Sequence, residues 1–251
     1  MPHTLFISDL HLTAERSQIN LQLIDFIEII ALKAEALYIL GDLFEYWAGD
    51  DDTADPLNQQ VAAALKQLTQ RGVPVYLMHG NRDLLIGLTF AALCGASIIP
   101  DPTVMDLYGK RTLLMHGDTL CTDDTEYQKF RAYARNPVTQ QQFLQQPLAA
   151  RHQQLRGMRA QSETSKSIKP AEIMDVSPAT VEAVLRDHGY PRLIHGHTHR
   201  PARHQHTVDG HTCERWVLSD WYDRGHYLQC DATGCRALQV ASTLTNTIPA
   251  V

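Results

Sequence analysis

The sequence contains no apolar run near the roughly 18 to 20 residues that a membrane-spanning helix needs. Residues 1–10 lack the basic stretch and the long apolar core of a secretion signal. Internal repeats and a long low-complexity tail are also missing. These absences argue against an integral membrane protein and a repeat array, and we expect a cytosolic chain.

Cysteine is scarce and irregularly spaced. The five cysteines are Cys94, Cys121, Cys213, Cys230 and Cys235, an odd number without the spacing of a metal-binding motif. A thiolate-rich zinc or iron–sulfur centre is therefore excluded. We expect reduced thiols with a structural role.

The composition suits one α/β core. The chain has 251 residues and 44% hydrophobic content, which is enough for a substantial core with a modest insertion. We predict a single domain over residues 1–251, with a helical lid inserted at about residues 122–170.

Five apolar runs of strand length each end in a short polar cluster. The runs are residues 4–8, 37–40, 73–78, 112–115 and 192–194. The clusters that follow them are Asp9-Leu10-His11, Gly41-Asp42, Gly80-Asn81-Arg82-Asp83, His116-Gly117-Asp118 and Gly196-His197-Thr198-His199. Ligands of open α/β sheets lie outside the carboxyl ends of the strands, so these side chains should converge. Oxygen and imidazole donors suit Mn, Fe, Zn or Mg, and the pattern predicts a dinuclear metal site.

Each cluster alone also fits an ordinary role. Gly41-Asp42 could form a turn, and Gly80-Asn81-Arg82-Asp83 could cap a helix over residues 84–93. The two histidines of Gly196-His197-Thr198-His199 could be loop residues. The metal site is favoured because core packing would not place all five clusters at strand ends.

The remaining pattern predicts two sheets between helices. Apolar periodicity indicates helices over about residues 17–34, 56–71 and 178–189, the last with Ser177 as its N-cap. Alternating stretches at about residues 204–208, 214–219 and 226–230 indicate antiparallel strands, with a turn at Asp209-Gly210.

The segment from about residue 124 to residue 170 is basic on a chain with a net charge of -6. Its cations are Lys129, Arg131, Arg135, Arg151, Arg156, Arg159, Lys166 and Lys169. Apolar side chains lie among them, namely Phe143, Leu144, Leu148, Leu155 and Met158. Cations mixed with apolar groups suit an anionic amphiphile or a membrane surface. The alternative is that this segment is a solvent-exposed helical insertion with scattered charges.

In order and spacing, the five clusters resemble the signature of the calcineurin-like metallophosphoesterases over most of the chain. The resemblance implies a two-sheet α/β sandwich flanked by helices, with a helical cap insertion and two bound Mn²⁺. It implies one metal held by Asp9, His11 and His199, and a second held by Asn81, His116 and His197, with Asp42 bridging them. His195 is assigned to the end of a strand. Such a metal pair would activate water and neutralise phosphoryl oxygens during hydrolysis.

Arg82 departs from this family, which commonly has a histidine after the Gly-Asn pair to protonate the leaving group. Arginine stays charged and cannot supply that proton, but its fork can clamp phosphate oxygens. A good leaving group needs little acid help. Arg82 therefore favours cleavage of a pyrophosphate, and we assign catalytic roles to Asp42, Asn81 and Arg82.

Three further runs resemble one branch of the family, the UDP-2,3-diacylglucosamine hydrolases. They are His116-Gly117-Asp118-Thr119-Leu120-Cys121-Thr122-Asp123-Asp124, Arg156-Gly157-Met158-Arg159-Ala160 and Ile173-Met174-Asp175-Val176. This resemblance implies hydrolysis of the pyrophosphate bond to UMP and 2,3-diacylglucosamine 1-phosphate (lipid X) in lipid A biosynthesis. The substrate contacts that it implies are Asn81, Arg82, Asp124, Ser162, Lys169 and His197. Lys166 occupies a further contact position where the branch typically has asparagine.

The branch also implies a location and partners. The apolar lid residues would hold acyl chains, and the chain would attach peripherally to the cytoplasmic face of the inner membrane. No obligate protein partner is evident, and the acidic overall balance does not favour nucleic acid.

Two other functions stay open. One is a metallophosphoesterase for a soluble nucleotide or phosphodiester. The other is a non-catalytic scaffold without metals, although such a chain would be expected to lack some of the seven ligands.

Overall fold

The computed structural model describes residues 1–168 and 171–240, apart from the side chains of residues 163–168 and 171–172. The strands are β1 (Thr4–Ile7), β2 (Ala36–Leu40), β3 (Val75–Met78), β4 (Ser97–Ile99), β5 (Thr103–Leu107), β6 (Lys110–Met115), β7 (Arg192–His195), β8 (Ala202–Val208), β9 (His211–Val217), β10 (His226–Asp231) and β11 (Gly234–Gln239). The α-helices are α1 (Ser17–Asp25), α2 (Pro56–Gln70), α3 (Leu88–Cys94), α4 (Thr125–Ala134), α5 (Pro137–Leu144), α6 (Leu148–Ile168) and α7 (Pro178–Asp187). A π-helical stretch covers Phe26–Ile30, and short 3₁₀ turns cover Ala31–Lys33, Asp118–Leu120 and Ala171–Met174.

The strands form two sheets of mixed direction. One has the order β11-β10-β1-β2-β3-β4 and the other has the order β5-β6-β7-β9-β8. β1 to β4 are parallel to one another, as are β6, β7 and β9, whereas β10, β11, β5 and β8 pair antiparallel with their neighbours. The expected two-sheet α/β architecture is confirmed. Its parallel strands bring the loops after β1, β2 and β3 to one edge, and those after β6 and β7 to one edge of the other sheet.

Apolar side chains fill the space between the sheets. This inner core includes Phe6, Leu40 and Met78 from the first sheet and Leu114 and Ile194 from the second. A larger cluster packs the first sheet against α1, α2 and α3, and a smaller one packs the second sheet against α7. Each large side chain that is fully buried stabilises the fold by about 1.5–3 kcal/mol. The packed core therefore holds in place the strands whose ends carry the polar clusters.

The helix predicted from residue 84 begins later, and this part of the prediction is wrong. α3 starts at Leu88, because the carboxylate of Asp50 accepts hydrogen bonds from the N–H groups of Gly87 and Phe90, at 2.9 Å each. Asp83 is not a cap for it. The predicted helix over residues 17–34 is helical as far as Lys33 but passes from α to π to 3₁₀ geometry.

The cysteine prediction is wrong for one pair. Cys230 and Cys235 form a disulfide, because they face each other across the β10–β11 hairpin with their Cα atoms 4.1 Å apart. The other three, Cys94, Cys121 and Cys213, are free and buried, as expected of structural thiols.

The three helices α4, α5 and α6 fall inside the segment predicted to be a lid. Asp124 caps α4 by accepting a hydrogen bond from the Tyr127 N–H at 3.0 Å, and Asn136 caps α5 in the same way. Within residues 1–168 and 171–240, no helix combines the length and the apolar character needed to cross a bilayer.

The stability of the second sheet depends on pH through the carboxylate of Glu214. Arg192 and Arg203, from the strands on either side of β9, donate hydrogen bonds to its carboxylate. Burial alone would raise the pKa of Glu214, but these hydrogen bonds outweigh it and lower the pKa to about 2 from 4.5. A lowered folded-state pKa stabilises the fold above the unfolded pKa, and this contribution is lost as the pH falls from about 4.5 towards 2.

We therefore expect Glu214→Gln to lower the free energy of unfolding by about 1–2 kcal/mol at pH 7. The deficit should shrink as the pH falls below 4.5. Urea unfolding of the wild type and the variant at pH 7 and pH 3 measures this, with Glu182→Gln on the exposed face of α7 as a control. A deficit that is equal at the two pH values would contradict the role of the carboxylate charge.

Candidate metal centre

The loops that carry the predicted metal ligands have an unusual backbone. Eight non-glycine residues have positive φ in the described part of the chain, and five of them are predicted ligands. These five are Asp9, His11, Asp42, His197 and His199, with φ between 50° and 69°. Left-handed backbone costs an L-residue about 1–2 kcal/mol. Such strain is typical of functional sites that the surrounding structure holds in place.

Three predicted donors meet in a first cluster, formed by Asp9, His11 and His199. The Nε2 atom of His199 lies 3.4 Å from Oδ1 of Asp9 and 3.2 Å from Nε2 of His11. The His11 Nε2 atom lies 4.0 Å from Asp9 Oδ1. The three side chains therefore point their donor atoms at one small volume.

A second cluster is formed by Asn81, His116 and His197. The Oδ1 atom of Asn81 lies 3.1 Å from Nε2 of His116 and 3.0 Å from Nδ1 of His197. These residues come from the loops after β3, β6 and β7, so both sheets contribute to the cluster.

Asp42 lies between the two clusters. Its Oδ2 atom is 3.8 Å from His11 Nε2, and its Oδ1 atom is 3.8 Å from His116 Nε2. One carboxylate thus presents an oxygen to each cluster. The structure brings together all seven side chains that the sequence predicted to be ligands.

The donor atoms fit divalent cations. Donors bound to one ion at about 2.0–2.2 Å lie roughly 3–4 Å from one another, which matches the separations within each cluster. Two sets, Asp9 with His11 and His199, and Asp9 with Asp42 and His116, have their donor atoms within 4.8 Å of one another. Asp9 Oδ1 is buried and accepts no hydrogen bond, so a cation would satisfy an atom that the protein leaves without a hydrogen-bond donor.

The charges of the site favour metal ligation. Burial alone would raise the pKa of Asp9, but the nearby rings of His199, His116 and His11 lower it, so the carboxylate stays ionised. Burial and the nearby His116 lower the pKa of His197 to about 4, which keeps its ring neutral at pH 7. Burial alone would lower the pKa of His116, but Asp42 and other carboxylates raise it to about 9. A cation bound there would displace that proton.

Outer contacts orient the ligands. The His116 Nδ1 atom lies 2.9 Å from the Leu40 carbonyl oxygen, which directs Nε2 towards the second cluster. The His11 Nδ1 atom lies 3.4 Å from the buried carboxylate of Glu45. The sequence analysis assigned no role to Glu45, which lies three residues after Asp42.

Asp83 is a second residue that sequence reasoning missed. Its carboxylate accepts hydrogen bonds from the N–H groups of Gly80 at 2.9 Å, Leu43 at 2.8 Å and Asp42 at 3.2 Å. It therefore locks the loops after β2 and β3 together. A Cβ atom at Gly80 would collide with the Asp42 carboxylate, so this close approach requires glycine.

Asp118 anchors the first lid helix. Its buried carboxylate accepts hydrogen bonds from the Tyr127 hydroxyl at 3.1 Å and from Arg131 Nε at 2.7 Å, and Arg135 Nη2 lies 3.6 Å away. Burial alone would raise the pKa of Asp118, but His116 and the two arginines lower it. α4 is thereby tied to the loop that carries His116.

A groove with a volume of about 480 Å³ lies between the centre and the lid helices. Its polar wall includes Glu45, Asn81, Arg82, Arg159 and Ser162, and its apolar wall includes Leu84, Leu85, Phe130, Tyr133, Phe143, Leu155 and Met158. Three of the five apolar residues singled out in the sequence therefore line the groove. Leu144 and Leu148 do not; Leu144 instead packs against Gly49.

The predicted substrate contacts are placed unevenly. Asn81, Arg82 and Ser162 line the groove, and His197 belongs to the second cluster. Asp124 is buried as the cap of α4. Lys169 and the side chain of Lys166 lie outside the described residues.

The chain is similar to known proteins over most of its length. The family model of the calcineurin-like phosphoesterases matches residues 2–201. The chain is 53% identical over 230 residues to the UDP-2,3-diacylglucosamine hydrolase of Aromatoleum aromaticum, covering 92% of this chain and 94% of the relative. Relatives of the same name from Xanthomonas axonopodis pv. citri and Cellvibrio japonicus are each 52% identical. Those alignments cover 95% and 92% of this chain, and 99% and 96% of the relatives.

We expect Asp42→Ala to disrupt both clusters at once, because it removes the one carboxylate that faces each of them. Affinity for Mn²⁺ should fall by more than about 100-fold, beyond the loss seen when only an outer contact of a metal ligand is removed. Equilibrium dialysis followed by elemental analysis measures the bound metal, and Asp106→Ala at an exposed position of β5 is the control. Wild-type metal content in Asp42→Ala would contradict the shared position of Asp42.

Proposed function

Because the chain belongs to the calcineurin-like phosphoesterases and, within them, to the family of the UDP-2,3-diacylglucosamine hydrolases, we propose that it hydrolyses the diphosphate linkage of UDP-2,3-diacylglucosamine. The products would be UMP and 2,3-diacylglucosamine 1-phosphate. One observation carries the proposal: two donor clusters that share Asp42 adjoin a groove that is lined in part by apolar side chains. Such a site would accommodate a phosphate group and an acyl chain together.

The metal centre supplies the polar end of this proposal. Asp9, His11 and His199 would hold one Mn²⁺, Asn81, His116 and His197 a second, and Asp42 both. When bound, the two cations would supply the charge that activates a water molecule and neutralises phosphoryl oxygens. Asp9 and Asp42 return only two negative charges to this pair, so the centre keeps a positive surplus that attracts a diphosphate.

Two arginines on the groove wall would bind the diphosphate. Arg82 Nη1 lies 3.6 Å and Arg159 Nε lies 3.2 Å from the same Oε1 atom of Glu45. Glu45 thus holds a guanidinium from the β3 loop beside one from α6, at the end of the groove nearest the clusters. Two such forks suit a diphosphate with several acceptor oxygens.

Arg82 also explains the choice of bond. The sugar phosphate released from a phosphoanhydride is a weak base and can leave without being protonated. Arginine keeps its proton at neutral pH, so it suits such a leaving group. The Arg82 N–H donates to Asp42 Oδ1 at 2.8 Å, so its backbone orients the shared ligand while its side chain faces the groove.

Further residues would contact the substrate. Asn81 and Ser162, which line the groove, and His197, which contacts Asn81, would bind the substrate near the second cluster. Asp124, Lys166 and Lys169 are proposed on the family resemblance, and the cap that Asp124 forms on α4 would let it act by positioning that helix.

The apolar wall would hold an acyl chain. Each methylene group that leaves water stabilises binding by about 0.8 kcal/mol, and the groove volume of about 480 Å³ lies in the usual range of small-molecule sites. Several large apolar side chains of α4 to α6 are exposed to solvent, namely Phe130, Tyr133, Val138, Leu144 and Met158. These exposed apolar side chains support peripheral attachment to the inner face of the membrane.

We expect Arg82→Ala to lower kcat/KM by about 10²–10³-fold, as loss of one preorganised donor to a developing phosphoryl charge does. The Mn²⁺ content should stay at the wild-type level, because the contact with Asp42 comes from the backbone. Arg82→Lys keeps the charge but loses the fork, so it should rescue only part of the activity. Loss of metal from Arg82→Ala would contradict the clamp role.

The substrate class is tested by pairing two substrates. Wild-type protein with Mn²⁺ should release UMP from UDP-2,3-diacylglucosamine. Phe143→Asp and Met158→Asp should each reduce kcat/KM on this lipid by about 10–100-fold, equivalent to two or three lost methylene contacts. Their activity on bis(4-nitrophenyl) phosphate, which has no acyl chain, should change by less than about 3-fold.

Leu88→Asp provides the control, because Leu88 is an exposed apolar residue of α3 that does not line the groove. Equal losses on both substrates would overturn the acyl groove. A wild-type chain that binds Mn²⁺ but releases no UMP would overturn the proposed substrate.

A further inference from the structure

Three consecutive residues after β9 each contact a different ligand of the first cluster. Asp220 Oδ2 lies 3.8 Å from the Nδ1 atom of His199. The Trp221 N–H donates to the Asp9 carbonyl oxygen at 3.1 Å. The Tyr222 ring stacks on the His11 ring, with centroids 5.5 Å apart and planes 9° from parallel. Residues 220–222, which we call the brace, thus reach all three members of one cluster.

Arg16 ties the brace to the loop after β1. It donates hydrogen bonds to the Trp221 carbonyl oxygen at 2.8 Å and to the His11 carbonyl oxygen at 3.2 Å. Its guanidinium carbon also lies 4.6 Å from the centroid of the Tyr222 ring. One side chain therefore connects the segment that carries His11 with the segment that supports it.

The core anchors the brace from below. Trp221 is fully buried and its ring meets Phe26 edge to face at 5.7 Å. This contact holds Trp221 in the core. Movement of Asp220 and Tyr222, on either side of it, away from the cluster would expose the tryptophan to solvent.

The strained backbone of the first cluster is the reason that outer contacts matter there. Asp9, His11 and His199 all have left-handed backbone, with φ of 55°, 50° and 54°. Their unstrained alternatives would point the donor atoms elsewhere. The second cluster is oriented by other groups, with the Leu40 carbonyl at His116 and the Tyr127 ring 5.6 Å from His197.

We propose that Asp220, Tyr222 and Arg16 are positioning residues that set the affinity of the first cluster for its cation and leave the second cluster unaffected. The inference rests on the proposed two-cation centre but not on the identity of the substrate. Loss of an outer contact of a metal ligand typically weakens metal binding by about 10–100-fold, and the brace predicts that this loss falls on one of two Mn²⁺ ions.

The test is Mn²⁺ titration of the full chain by calorimetry, with electron paramagnetic resonance of the loaded samples. Tyr222→Ala should bind one Mn²⁺ with wild-type affinity and the other about 10-fold or more weakly. The spectrum at one equivalent should be that of an isolated ion. Tyr222→Phe keeps the ring and should keep both affinities, whereas Asp220→Asn should weaken the same single ion.

Tyr190→Ala is the matched control, because Tyr190 also stacks on a histidine, His211, with ring centroids 3.9 Å apart. It should retain both Mn²⁺ affinities, and thermal unfolding of each variant shows that it is folded. Equal weakening of both ions by Tyr222→Ala, or no weakening, would overturn the brace. A wild type that binds no Mn²⁺ would overturn the metal centre and the brace together, whereas binding of two ions without UMP release would overturn the proposed substrate alone.

Discussion

A single carboxylate, that of Asp42, faces both groups of candidate metal donors, and the geometry of the whole candidate centre depends on where it is held. Its two oxygens lie 3.8 Å from a histidine of each cluster. The backbone N–H of Arg82 fixes one oxygen, and Asp83 fixes the Asp42 backbone. Gly80 leaves the space in which the carboxylate sits. The loops after β2 and β3 therefore act as one rigid unit around the shared ligand.

The fold meets this constraint by combining parallel strands with strained loops. β1, β2 and β3 pair in register, so their carboxyl ends deliver Asp9, Asp42 and Asn81 to the same edge. β6 and β7 do the same for His116 and His197 from the opposite sheet. The inner core between the sheets sets the distance between these two sets of loops. Left-handed residues then turn the donors inward, at a conformational cost that the surrounding hydrogen bonds offset.

The donors and their strands could be predicted from the sequence because both are local features, in which an apolar run is followed at once by a polar cluster. The supporting residues could not. Glu45 and Asp83 contact residues that are distant in sequence, as do residues 220–222, and Asp118 contacts side chains of the next helix, α4. The late start of α3 follows from a cap supplied by Asp50, and the disulfide from a hairpin register, and neither is visible in spacing alone. The sequence also could not show that Leu144 does not line the groove, because its apolar character fits either position.

Acidic residues join helices α4 and α6 to the candidate centre. Asp118 holds α4 and Glu45 holds Arg159 of α6, so the groove and the donor clusters form one continuous surface. The most direct test of the account is anomalous diffraction at the manganese edge from crystals grown with Mn²⁺. The account predicts two peaks, one among Asp9, His11 and His199 and one among Asn81, His116 and His197, each beside a different oxygen of Asp42. A single peak, or two peaks of which neither contacts Asp42, would contradict it.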